Sequence, residues 1–210
     1  MNNLTLIQFQ YHSSFSPLGA LYLAFGLEKE NIHFGLKICP IDKYVNNLNK
    51  LYSFLTKSKD ILAIGCWSDM LPYVVGALRK LKQNFPKKII ILGGIGPTEA
   101  AEEILNEFEF IDFIIKGCGV YLLPKLIKKI RNGCTILDDI DGLVYRYNNA
   151  VISNYYKGFY LNIPDFPAYH YINNIQRCSH FGIFTSYGCP YKCTFCITRS
   201  VSPKNCLQKS

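Results

Sequence analysis

The strongest constraint on this chain is a series of short, unbroken apolar runs, each followed by a stretch of helical periodicity. Ile61 to Cys66 (ILAIGC) and Lys88 to Leu92 (KIIIL) are the clearest. A short run that is apolar throughout, without alternation, reads as a strand buried on both faces, as in a parallel sheet covered by helices. The same reading assigns strands to Leu4 to Phe9, His33 to Ile38 and Phe113 to Ile115. Between them, helices are expected at Pro17 to Lys29, with proline in the first turn, Tyr44 to Lys57, Leu71 to Gln83, Thr98 to Phe108 and Tyr121 to Ile130. Thr98 is expected to cap the fourth of these. Strand and helix in strict alternation predict an α/β domain with a doubly wound, Rossmann-like parallel sheet, over residues 1–132. Right-handed crossovers then bring the loops Tyr11 to Ser16, Gly65 to Ser68, Gly93 to Pro97 and Gly117 to Gly119 to one sheet edge, where such folds bind ligands.

From Gly133 the pattern changes. Leu143 to Tyr147 and Val151 to Ser153 flank Asn148-Asn149-Ala150 and predict a hairpin. Tyr155 to Ile175, with Pro164, Pro167 and several tyrosines, shows no period and reads as a linker, completing a segment over 133–178. Phe181 to Thr185 is expected to open a new strand, the start of a further unit over 179–210.

Cys189, Cys193 and Cys196 follow at once, in the spacing C-x3-C-x2-C. Gly188 and Pro190 favour the sharp turns that would let three thiolates converge. Soft thiolates select iron–sulfur clusters or zinc. Three ligands leave one iron of a four-iron cluster open, whereas a zinc site would be completed by Cys178, His180 or Cys206. Nine cysteines in a chain whose first residues lack a signal-peptide pattern point to a reducing, cytoplasmic setting and away from disulfides. No apolar run reaches the ~20 residues of a spanning helix, so no membrane partner is expected. The net charge of +8 is scattered rather than gathered into a dense Lys/Arg block, which argues against nucleic acid.

The cysteine spacing, with Phe195 just before the last cysteine, resembles the radical S-adenosylmethionine signature. The upstream pieces Ser16-Pro-Leu-Gly19, Asp60 to Cys66, Gly93-Gly94, Asp112 to Gly119, Asp141-Gly-Leu-Val-Tyr145 and Ile163-Pro-Asp-Phe-Pro167 resemble the cobalamin-binding domain of one branch of that superfamily. The resemblance implies that Cys189, Cys193 and Cys196 hold a [4Fe–4S] cluster whose open iron is chelated by S-adenosylmethionine, with Phe195 near the adenine. It implies cobalamin as a further cofactor, with Gly93 and Gly94 admitting a corrin or its nucleotide tail close to backbone, and it requires an electron donor.

Departures limit the likeness. The D-x-H-x-x-G pattern that supplies a lower axial histidine is absent, and none of His12, His33, His170 or His180 has that context. The loop often reading Gly-Glu-Gly-Glu is Gly117-Cys118-Gly119-Val120, and the serine-containing turn after the third strand is Gly65-Cys66-Trp67. Trp67 either lines the corrin face or belongs to the core; Cys118 is either a metal ligand or a small buried thiol; Asp69 and Asp112 read as caps or surface charges. A complete (β/α)8 barrel takes ~250 residues, and only 30 remain from Phe181 to Ser210. The barrel is therefore expected to be truncated, its remainder lying in a longer or separate chain, and no catalytic residue is assigned. A non-catalytic cobalamin- or small-ligand-binding module and a zinc-bound structural protein are the alternatives.

Overall fold

The computed structural model describes residues 3–11, 16–44, 47–156, 166–172, 179–189, 191, 193–196 and 207–208. Five parallel strands, β1 (Leu4–Gln10), β2 (Phe34–Pro40), β3 (Ile61–Gly65), β4 (Ile89–Gly93) and β5 (Phe113–Ile115), form the body of a seven-stranded sheet. Its order is β2-β1-β3-β4-β5-β6-β7, with β6 (Leu143–Tyr147) and β7 (Ala150–Ser153) antiparallel at the edge. The chain runs outward from β1 to β2 and then returns past β1 to β3. The reversal lies between β1 and β3, the place where open α/β sheets form ligand crevices.

Alternate residues of each strand feed two cores. Ile7, Phe9, Leu62, Ile64, Ile90 and Leu92 face helices α2 (Leu48–Thr56), α3 (Leu71–Asn84) and α5 (Ala101–Glu107). Leu4, Leu6, Ile61, Ala63 and Ile91 face α1 (Leu18–Lys29) and α6 (Leu122–Arg131). Burial on both faces is what the unbroken apolar runs require.

Several expectations are corrected. The helix expected over Tyr44 to Lys57 is shorter: a 3-10 turn at Ile41–Lys43 precedes α2, and the Asn47 side chain caps α2 by accepting from the Lys50 amide at 2.9 Å. The helix expected from Thr98 begins earlier, as α4 (Ile95–Glu99), and breaks before α5. Gly94, at φ 91°, turns the chain straight out of β4 into α4. Thr98 is thus inside a helix, not at its cap; its hydroxyl donates to Gly94 O at 2.6 Å and accepts from the Gly117 amide at 3.3 Å.

The hairpin is continuous with the sheet through β5, and its turn is the pair Asn148–Asn149, both left-handed at φ 49° and 63°. Phe181 to Thr185 forms no strand. The amides of Gly182 and Phe184 donate to the side-chain oxygens of Ser16 and Tyr22 instead of to a neighbouring strand. After an isolated bridge at His180, strand pairing resumes at β8 (Ser186–Tyr187), against β9 (Leu207–Gln208). Among the described residues no helix is long and apolar enough to cross a membrane.

Asp112 is a buttress, not a cap or a free surface charge. Its carboxylate accepts from the Ile90 amide at 2.8 Å and from Lys82 Nζ at 2.7 Å, tying β4 and α3 to the start of β5. Asp112→Ala leaves that amide and ammonium without their acceptor. The variant is expected to lose about 2 kcal/mol of unfolding free energy, read from the urea midpoint.

Candidate functional site: a strand-end cavity and a cysteine triplet

Three of the four loops expected to meet at one sheet edge, those following β3, β4 and β5, border a cavity of about 300 Å³, the lower end of the size range of small-molecule sites; most of the fourth, residues 12–15, lies outside the described residues. Its floor is the ends of β1, β3, β4 and β5, from Leu6 and Gln8 through Ala63, Gly65, Ile91, Gly93 and Ile115. Gly94 and Ile95 form one wall, Gly117, Cys118, Gly119 and Val120 another, and α1 contributes Gly19, Tyr22 and Leu23. Phe184 completes the lining. The surface is almost wholly apolar, and its polar groups are engaged: Gln8 Nε2 donates to Phe9 O at 2.8 Å, and Tyr22 Oη accepts from the Phe184 amide at 3.1 Å.

Gly93 and Gly94 stand in the wall, and a Cβ on Gly93 would find only ordinary contact, 3.7 Å from Ile115 O. Cys118 is half-buried against the cavity, and burial pushes its thiol pKa up, opposed in part by a hydrogen bond with the Val120 backbone. Cys66 is fully buried and its thiol is pushed up to about 12 by loss of hydration. Trp67 belongs to neither the core nor the cavity wall: it is 49% exposed. Gly96 packs so tightly on the Trp67–Ser68 backbone that a Cβ there would lie 2.7 Å from it, which holds the turn. Asp69 is exposed, as a surface charge. None of the lining residues is a histidine.

Two described stretches that follow the hairpin, residues 166–172 and 179–189, form a strap against α1. The Ala168 amide donates to Leu21 O at 3.2 Å, and Tyr169 Oη donates to Gly182 O at 2.6 Å. The Gly182 amide reaches Ser16 Oγ at 3.3 Å. Phe184 stacks on the buried Tyr22, ring centroids 5.0 Å apart and planes 21° apart.

Five residues beyond Phe184 comes Cys189, half-buried, followed by the exposed Cys193 and the half-buried Cys196. Gly188 is left-handed at φ 89°, and the Cys196 amide donates to Cys193 O at 3.2 Å, closing a tight turn. The donor set suits a soft metal centre: three thiols in chelate spacing, reachable from solvent, on one short loop. They are not yet gathered, since among the described residues no three His, Cys, Asp or Glu side chains lie close enough to share a metal ion. Phe195 is 90% exposed. His180 is exposed, with Nδ1 2.8 Å from Ser179 Oγ, whereas Cys178, Cys206 and His12 lie outside the described residues.

Tyr22, Leu23 and Phe184 escape sequence reading because their roles depend on α1 and the strap meeting over the strand ends. Tyr169 belongs to a stretch whose only signal was its aromatic content.

Two solved structures share this architecture. The radical S-adenosylmethionine methyltransferase TsrM from Kitasatospora setae, with cobalamin and a [4Fe-4S] cluster bound, superposes with a TM-score of 0.70 at 15% identity, over 100% of this chain and 44% of that one. The cobalamin-dependent S-adenosylmethionine radical enzyme OxsB, with aqua-cobalamin and S-adenosylmethionine bound, gives 0.70 at 20% identity, over 93% and 28%. The chain shares the fold of the corresponding part of each of these two proteins.

Curated relatives include the anaerobic magnesium-protoporphyrin IX monomethyl ester cyclase of Synechocystis sp., 28% identical over 122 residues, 55% of this chain and 24% of that protein. The cyclase of Cereibacter sphaeroides is 24% identical over 89% of this chain and 33% of its own length. An uncharacterized methyltransferase of Pyrococcus horikoshii is 26% identical over 86% and 40%. The chain thus spans a quarter to two-fifths of these relatives and is a partial counterpart of them. No protein-family profile matches it.

Proposed function

We propose that this chain is the corrinoid- and cluster-binding part of a radical S-adenosylmethionine enzyme. The observation that carries the reading is a glycine-walled apolar cavity lined in part by Phe184, five residues before the first of three closely spaced cysteines.

A corrinoid is larger than the cavity, so the strand ends would take an edge of the macrocycle or its nucleotide tail. Gly93 and Gly94 leave room for that close approach to backbone, and Phe184 would cover the ligand. The sequence lacks a D-x-H-x-x-G pattern and no histidine is among the described lining residues, which supports binding without a protein imidazole on cobalt. Cys189, Cys193 and Cys196 would hold a [4Fe–4S] cluster, with Phe195, exposed beside the last ligand, free to meet an adenine. When bound and reduced by an electron donor, such a cluster supplies the electron that cleaves the sulfonium of S-adenosylmethionine. The chain's own tasks are to hold that cluster by thiolates, to exclude water from the corrinoid face with apolar side chains, and to keep the two sites adjacent. The remaining barrel would come from further residues or a separate chain. Persistent thiols suit a reducing, cytoplasmic compartment. The division into a domain over 1–132, a hairpin and linker over 133–178 and the start of a barrel over 179–210 is part of this proposal.

Equilibrium dialysis with cyanocobalamin tests the corrinoid half. Its cobalt already carries cyanide, so retention does not arise from simple capture by a cysteine. The wild-type chain is expected to retain about one equivalent. Gly93→Leu, whose Cβ is accommodated but whose side chain enters the cavity, is expected to weaken retention at least about tenfold, the worth of ~1.4 kcal/mol. Equal retention by both would contradict the assignment.

A further inference from the structure

We propose that Phe184 is the positioning residue that couples occupancy of the cavity to the order of the cysteine loop. The inference rests on the reading of the cavity as a corrinoid site. One residue belongs to both places: Phe184 lines the cavity, and it lies five residues before Cys189. Tyr22 engages it twice: the Phe184 ring stacks on Tyr22, and the Phe184 amide donates to Tyr22 Oη at 3.1 Å. Two residues earlier, Gly182 is held by Tyr169 Oη and Ser16 Oγ.

Phe184 keeps 37% of its surface exposed, whereas Tyr22 is buried to 2%. The fixed partner is therefore Tyr22, and the ring able to leave is Phe184. A ligand that fills the cavity gains apolar contact with Phe184 only when that ring is docked. It therefore binds the docked state more tightly and shifts the strap toward it. Docking fixes the chain entering the loop, which restricts Gly188 and Cys189 and brings the thiols nearer a common centre. The coupling is reciprocal: whatever gathers the cysteines also raises affinity for the cavity ligand by the same factor.

The test measures iodoacetamide alkylation of Cys189, Cys193 and Cys196 in the full chain, by peptide mass spectrometry, with and without saturating cyanocobalamin. Wild type is expected to show at least about fivefold slower alkylation when loaded, the lower end of ordinary coupling factors. In Phe184→Ala the slowing is expected to fall below about twofold even at saturation, with cyanocobalamin bound at least about fivefold more weakly. Phe184→Tyr, which keeps the ring, is expected to restore protection. Tyr22→Phe keeps the stack and removes only the acceptor of the Phe184 amide, so it should lose part of the protection; it carries the test if the alanine variant misfolds by circular dichroism. Protection in Phe184→Ala equal to wild type would overturn the coupling, because the ligand would then be shielding the thiols directly. Retention by wild type with no protection overturns the coupling while leaving the corrinoid reading intact. No retention by wild type overturns both.

Discussion

Replacing Cys193 by alanine is expected to cut the iron taken up on anaerobic reconstitution from about four atoms per chain to fewer than about one. Cys193 is the exposed middle member of the triplet, and its carbonyl oxygen receives the Cys196 amide at 3.2 Å, so it is central to the turn as well as to the donor set. Two remaining thiolates would leave two irons of a cubane without protein ligands, and such a cluster is lost to chelators and oxygen. The alanine substitution keeps the backbone hydrogen bond, so the loss reports the thiolate rather than the turn. Cys134 is exposed but lies outside the loop, and Cys134→Ala should take up iron as the wild type does. Iron and acid-labile sulfide assays, with the broad visible absorption of the cluster, read both outcomes. Unchanged iron in Cys193→Ala would falsify the ligand assignment.

Gly26→Val should cost at least about 3 kcal/mol of stability. Gly26 is buried in α1, and a Cβ there would lie 2.0 Å from the backbone oxygen of Val120 and 3.0 Å from its carbonyl carbon. The obstacle is backbone, not the end of a flexible side chain, so either the helix or the cavity loop must move. Both carry the site: α1 supplies Tyr22 and Leu23, and the loop supplies Gly117 to Val120. Stability and cyanocobalamin retention should therefore fall together. Gly35→Ala in the edge strand β2 is the control, since nothing lies within 4 Å of its added Cβ, and its urea midpoint should barely move. A Gly26→Val midpoint equal to wild type would show that α1 does not approach the loop as described.

Much of the sheet could be read from residues because burial on both faces imposes a local signature. Ile61 to Gly65 and Ile89 to Gly93 have nowhere to place a polar side chain. The same logic marks the sheet edge at which the cavity lies, since the loops after parallel strands share one side. The parts that escaped depend on contacts distant in sequence. β6 looks like half of an independent hairpin until its pairing with β5, from Phe113↔Tyr145 to Ile115↔Leu143, is seen. Phe181 to Thr185 has strand composition, yet its amides are taken by Ser16 and Tyr22, more than 160 residues away in sequence. Trp67 has an apolar ring that periodicity would bury, and the packing of Gly96 under its backbone belongs to a turn geometry no pattern encodes. The cysteine triplet is legible from spacing alone because chelation is local chemistry.

The proposed function requires one chain to carry both a corrinoid cavity and a thiolate site for a cluster. Metal analysis after anaerobic incubation of the full chain with iron, sulfide, equimolar zinc and cyanocobalamin, followed by gel filtration, tests it most directly. The account expects about four iron atoms and about one cobalt per chain, with little zinc. About one zinc per chain, with neither iron nor cobalt retained, would contradict it.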